Sequence, residues 1–162
     1  MATLEIKKYP DPILRKKSQA VEKITDEIEK LKKDMVETMI KNNGVGLSAP
    51  QVGQLKRIIT VQTDKEPLEL VNPKIIKKSK ETEVVEEGCL SFPGFWLKIK
   101  RAKKVEVRAK DKAGREVQIS AQGLQARVLQ HEIDHLDGIL FIDRLGFFQR
   151  LKLRKYFKAF NP

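Results

Sequence analysis

Cys89, His131 and His135 are the whole supply of thiol and imidazole in this chain. They fall in two short segments, Glu87-Gly88-Cys89-Leu90-Ser91 and Gln130-His131-Glu132-Ile133-Asp134-His135. Soft donors concentrated in this way point to one metal ion, and three protein ligands leave the open coordination position of a catalytic site. On a helix His131 and His135 stand about 40° apart on one face, so both imidazoles can reach a single ion. Glu132 lies about 60° to one side of His135, able to touch a water at the open position without being a ligand. Asp134 lies about 60° to the other side of His131 and is expected to support the ligands from behind.

Each piece alone has a plainer reading. A His-Glu-x-x-His run occurs by chance on charged helices, and a lone buried cysteine is commonly a small core residue. Joint occurrence, with no competing donor in the chain, argues against both. The third ligand is the discriminating question. A thermolysin-like protease would take a downstream glutamate, but nothing after Asp143 is acidic. The metzincin pattern is met at Gly138 and broken at Phe141, where its third histidine would stand. Asp143 is a formal candidate that reads as structural, and Cys89 is the soft donor upstream. Two other classes stay open: a zinc protease that cleaves internal bonds, and a basic RNA-binding protein with a structural metal. The latter would want a fourth ligand and would not need Glu132.

The elements that must position these groups are legible in part. Asp11-Pro12 opens a short helix. Thr25-Asp26-Glu27 starts a longer one, in which Ile28, Leu31, Met35 and Met39 recur at helical spacing until Asn42-Asn43-Gly44. Met35 and Met39 are expected in the core. A loop over 44–54 precedes strands at Ile58-Ile59-Thr60-Val61 and over 68–76, the latter interrupted at Asn72-Pro73. Alternation at 105–108 and 117–120 about Asp111-Lys112-Ala113-Gly114 predicts an antiparallel hairpin. From Gly123 the pattern turns helical through Leu124, Val128, Leu129 and Ile133, and a last helix is expected at about 147–158. There is no repeat or linker, so residues 1–162 read as one α+β domain.

The chain has 162 residues, 40% apolar and 34% charged, enough for one hydrophobic core. A single cysteine excludes an intramolecular disulfide. The first residues hold no apolar stretch fit for a secretion signal, and no run approaches the ~20 residues of a membrane span. A cytoplasmic location without membrane contact is the expectation. Of the net charge of +11, residues 144–162 supply +6 through Arg144, Arg150, Lys152, Arg154, Lys155 and Lys158, with no acid. Such a tail is either a solvated face or an RNA contact such as a ribosomal surface; sequence-specific DNA binding is not indicated.

Three blocks, Gly44-Val45-Gly46-Leu47-Ser48-Ala49-Pro50-Gln51, Glu87-Gly88-Cys89-Leu90-Ser91 and Gln130-His131-Glu132-Ile133-Asp134-His135, resemble in order and spacing the signature motifs of peptide deformylase. The resemblance runs from Pro10-Asp11 to beyond Asp143. Ser48 stands where the family usually has alanine, which predicts altered local hydrogen bonding. Trp96 stands where many members carry a polar or basic residue. The resemblance implies a metal-dependent hydrolase that removes the formyl group from formylmethionyl nascent polypeptides. It implies an α+β fold, with antiparallel sheets around the metal-binding helix and a C-terminal helix. It implies Cys89, His131 and His135 as ligands of one divalent ion, Fe²⁺ physiologically, with Zn²⁺, Ni²⁺ or Co²⁺ possible. Glu132 would move the proton, and Gln51 and the Leu90 N–H would stabilise the oxyanion. Substrate would lie against Val45, Gly46 and Gly88, with Leu124, Val128 and Leu129 around the methionine side chain.

Overall fold

The computed structural model describes residues 2–160, with side chains to residue 158. Asp11 caps the short 3₁₀ turn Pro12–Arg15 by accepting from the Ile13 N–H at 3.0 Å. Helix α1, Asp26–Lys41, begins at the Thr25 hydroxyl and carries Asp26, Glu27 and Glu29 in its first turn, where negative charge meets the positive end of the helix dipole. Its apolar stripe buries Ile28, Met35 and Met39 against Leu47, Ile58 and Val71, so both methionines are core residues.

The strands are β1 (Gly46–Ser48), β2 (Ile58–Val61), β3 (Leu68–Lys78), β4 (Thr82–Cys89), β5 (Phe92–Ala102), β6 (Lys104–Lys110) and β7 (Glu116–Gln122). Five of them form one sheet in the order β1-β2-β3-β6-β7, antiparallel at every step. β4 and β5 pair antiparallel as a separate ribbon. The β6–β7 hairpin turns at 111–115 as its alternation predicts. β3, by contrast, runs on through Asn72-Pro73. A register shift between Val71 and Lys74 absorbs the proline, and the Asn72 side chain bonds the backbone of Val21 in both directions at 2.8 Å. Within the expected 44–54 loop lie β1 and a second 3₁₀ turn, Ala49–Val52.

Helix α2, Gly123–Leu136, is buried from Ala126 to its end. It crosses the large sheet, where Val128, Leu129, Ile133 and Leu136 join Ile59, Val61, Leu70 and Val107 in the main core. Several of the polar residues on this helix are held by partners on other elements. Gln130, for example, accepts from the Ala102 N–H at 3.2 Å and donates to the Ala102 carbonyl at 2.9 Å, clamping α2 to β5. The helix stops before Gly138, at φ +71°, where a Cβ would fall 2.4 Å from the Arg15 carbonyl oxygen. Only glycine fits there. A third 3₁₀ turn, Phe141–Arg144, leads to α3, Phe147–Phe160, which docks through Leu153 and Phe157 onto Tyr9, Phe92 and Phe141. No described helix is long and apolar enough to cross a membrane.

Candidate active site

β4 delivers Cys89 and α2 delivers both histidines to one point. Cys89 Sγ and one nitrogen of each imidazole lie within 4.8 Å of one another, and the sulfur is 3.4 Å from His135 Nε2. Among the described residues, no other cluster of His, Cys, Asp or Glu has metal-ligating geometry. The rings of His131 and His135 stand 5.0 Å apart at 64°. Phe141, which breaks the metzincin pattern, packs edge-on against His131 at 5.6 Å. Asp143 is spent elsewhere: it accepts from Arg15 and from the Leu140 N–H.

The ligand-supporting group on His131 is Glu87, which accepts from Nδ1 at 2.9 Å and so turns Nε2 toward the site. Asp134, expected in that role, instead holds Arg101 at 2.7 Å and Arg144 through both carboxylate oxygens. Arg101 in turn grips Glu87 through Nε and Nη2 at 2.9 and 3.0 Å, and Arg127 reaches it at 2.5 Å. Asp134 therefore acts two links away. Arg144, counted from sequence with the basic tail, belongs to this network. Glu87 stands two residues before Cys89 in the same motif, but only the fold shows that it faces His131. Nothing local marks Arg101 or Arg127 as buried.

The electrostatics suit a cation. Burial disfavours a charged His131, yet the Cys89 thiolate and the Glu87 and Glu132 carboxylates outweigh it and raise its pKa well above the ordinary histidine value. The negative charge that favours a proton there against burial is charge that a cation would also meet. Burial, with the charges of His131 and Arg101, pushes His135 well below its ordinary value, and its Nδ1 is buried without a partner. It is thus a neutral imidazole, the form that binds metals. One thiolate and two imidazoles also make a donor set fit for a first-row divalent ion. Glu87 is held down to about 2: burial would raise it, but the hydrogen bonds and charges of His131 and Arg101 win.

Glu132 is 4% exposed, its Oε2 has no hydrogen-bond partner, and burial raises its carboxyl to about 7. That is the range in which a carboxylate works as a base at neutral pH. Gly46 makes room for it, since a Cβ there would fall 2.6 Å from Glu132 Oε1 and 2.7 Å from Val128. Gln51 is fully packed, with Oε1 accepting from the Ser48 N–H at 2.9 Å and from the Ser48 hydroxyl at 3.0 Å. Its amide nitrogen donates to Cys89 Sγ at 3.5 Å and to the Ser91 hydroxyl at 3.2 Å. The backbone N–H of Ser48 fixes which end of the amide faces the sulfur, and the serine hydroxyl adds a second bond to the same oxygen.

A cleft of about 940 Å³ opens over these groups, lined by Val45, Gly46, Gly88, Leu90, Trp96, Leu124 and Val128, with Cys89, His131 and Glu132 also on its wall. Leu129 is not on that wall but fully buried in the core behind it. The Val45 carbonyl is occupied by the Gln62 N–H at 2.9 Å. Gly88 lies under the Trp96 ring, three of whose carbons would sit 2.8 to 3.0 Å from an added Cβ.

Comparison with known proteins places the chain among its relatives. The polypeptide deformylase family model matches residues 3–150. A curated peptide deformylase of Thermodesulfovibrio yellowstonii is 50% identical over 98% of this chain and 99% of its own. One from Dictyoglomus thermophilum is 51% identical over 86% and 91%. A crystal structure of peptide deformylase from Ehrlichia chaffeensis in complex with actinonin superposes with a TM-score of 0.92 at 40% identity, covering 99% of both chains. That from Thermotoga maritima gives 0.87 at 41%, covering 90% of this chain and 99% of the other.

Proposed function

The chain belongs to the polypeptide deformylase family, and on that footing we propose how its own residues carry out the reaction. The family's enzymes depend on a metal and remove the N-terminal formyl group of formylmethionyl nascent polypeptides, releasing formate. In this chain Cys89, His131 and His135 hold the ion. When bound there, a divalent cation supplies Lewis-acid polarisation of the formyl carbonyl and acidifies water. We assign Fe²⁺ as the resident ion, with Zn²⁺, Ni²⁺ or Co²⁺ accommodated by the same donors.

The observation that carries the proposal is the unpartnered Glu132 oxygen beside the three convergent donors. Glu132 takes a proton from the attacking water and passes it to the departing amine. Attack leaves negative charge on the former formyl oxygen. Gln51 Nε2 and the Leu90 N–H receive that charge, each such donor contributing ~3 kcal/mol. The bonds from Ser48 to its oxygen turn the amide nitrogen toward Cys89, and an N–H now spent on the sulfur or on Ser91 would be exchanged for one to the oxyanion. Val45, Gly46 and Gly88 line the peptide backbone, and Leu124 and Val128 flank the methionine side chain, with Leu129 supporting them from the core.

We further propose that the chain acts as one domain in the cytoplasm. Helix α3, with Arg150, Lys152, Arg154, Lys155 and Lys158 and no acid, would meet ribosomal RNA. The reading is tested by Glu132→Ala: formate release from formyl-Met-Ala-Ser should be lost while metal content is kept. A protein that instead cleaved casein and left the formyl peptide intact would contradict it.

A further inference from the structure

A second cavity, of about 310 Å³, opens where α3 meets the first and third 3₁₀ turns, and it shares no lining residue with the cleft. Its apolar wall is Tyr9, Pro10, Ile142, Leu153 and Phe157. Its polar lining is four cations, Arg15, Arg150, Arg154 and Lys158, and a single carboxylate, Asp143. The volume falls at the lower end of the ~300–1,000 Å³ range of small-molecule sites.

Three of these cations come from one stripe of α3. Arg150, Arg154 and Lys158 follow one another at i, i+4 and i+8, where like charges repel and weaken a helix. Helix α1 shows the usual remedy: Lys30 and Lys41 each pair with an acid four residues away, Asp34 and Glu37. The acid beside the α3 stripe does not serve that purpose. Asp143 gives its carboxylate to Arg15 and to the Leu140 N–H, and only its carbonyl meets Arg150, at 3.5 Å. Arg154 and Lys158 are exposed, with no ion pair or hydrogen bond among the described residues. Positive charge is thus gathered beside an apolar cavity without an internal counter-ion. The wall adds aromatic surface, since Tyr9 and Phe157 meet at 5.1 Å with rings tilted by 52°.

We propose that this cavity is a binding site for a nucleoside diphosphate or triphosphate. The flat base lies against Tyr9 and Phe157, where aromatic surface favours a ring. The phosphates lie along Arg150, Arg154 and Lys158, whose guanidinium groups match phosphate oxygens two at a time. The stripe rises ~12 Å from Arg150 to Lys158, which suits a chain of phosphates better than a single one. Lys152 and Lys155 line no part of the cavity, so the rest of the helix's charge can be tested apart from it. The site stands apart from the reaction at Cys89, His131 and His135.

The test titrates the metal-loaded enzyme, in about 0.15 M salt, with adenosine diphosphate, pyrophosphate, adenosine and a single-stranded oligoadenylate. Two double variants are compared with wild type, Arg154→Glu with Lys158→Glu and Lys152→Glu with Lys155→Glu. All four positions are exposed and both variants change net charge equally, so a general loss of positive field affects them alike; circular dichroism checks that each is folded. Adenosine diphosphate should bind wild type about tenfold tighter than pyrophosphate or adenosine. Changing Arg154 and Lys158 should weaken it at least about tenfold, and changing Lys152 and Lys155 by less than about threefold. Pyrophosphate bound as tightly as adenosine diphosphate, equal losses in the two variants, binding of the oligoadenylate without the nucleotide, or no binding of any probe would each overturn the proposal.

Discussion

Replacing Glu87 by glutamine removes one negative charge from the most heavily bonded carboxylate in the molecule. Glu87 receives two bonds from Arg101, one from Arg127 and one from His131 Nδ1, at 2.5 to 3.0 Å. Both arginines are at most 5% exposed. Glutamine keeps one acceptor oxygen and turns an NH₂ group toward donors already pointing there. Breaking a buried pair by removing one partner costs about 3–5 kcal/mol, and Asp134 remains on Arg101, which favours the lower end. The carboxyl gives an independent figure. Its fall from 4.5 to about 2 on folding corresponds to roughly 3 kcal/mol. Because the folded value lies below the unfolded one, this stabilisation is present above pH 4.5 and is lost as pH falls from there through about 2. Urea unfolding of the metal-free protein at pH 7 should show Glu87→Gln weaker by about 3 kcal/mol. Between pH 5 and pH 3 the difference from wild type should shrink. His131 also loses the group that orients it, so chelator competition should show roughly 10- to 100-fold weaker metal binding. A variant within about 0.5 kcal/mol of wild type, binding metal equally well, would refute the reasoning.

Gly46→Ala should lower kcat at least tenfold, since the new methyl would fall 2.6 Å from Glu132 Oε1; wild-type kcat would count against a base in that position. With the Glu132 carboxyl raised to about 7 and active only when ionised, kcat/KM should climb with pH through a midpoint at or somewhat below that value, as a bound cation favours the anion, and level off above it. A profile flat from pH 4.5 to 8.5 would exclude Glu132 as the base. Protein shown to hold iron should lose activity in air, because a ferrous ion beside a thiolate oxidises; full activity after aerobic storage without reductant would contradict Fe²⁺ as the resident ion. Truncation before Phe147 should reduce cosedimentation with ribosomes while leaving activity on formyl-Met-Ala-Ser, and unchanged cosedimentation would remove the ribosomal role of α3.

The convergence of Cys89, His131 and His135 was legible because the chain holds one cysteine and two histidines, and because i, i+4 spacing puts both histidines on one face of α2. The β6–β7 hairpin was legible from its alternation and the turn residues at 111–114. β4 and β5 were not. Val84, Val85 and Glu86 on β4 are all exposed, so the ribbon lacks the one-sided burial that creates a period of two. β3 misled at Asn72-Pro73 because a bulge there lets the strand continue. The support of the site escaped for a related reason. Burial of Arg101 and Arg127 is a property of the packed molecule, and among the acids near the ligands only the packed molecule shows that Glu87 faces His131 while Asp134 faces Arg101.

X-ray absorption at the metal edge of the loaded enzyme tests the central claim most directly. The account predicts one sulfur scatterer at about 2.3 Å, two imidazoles at about 2.0–2.1 Å, and one light ligand that an added inhibitor replaces. A first shell without sulfur, or one closed by a fourth side chain that nothing displaces, would contradict it.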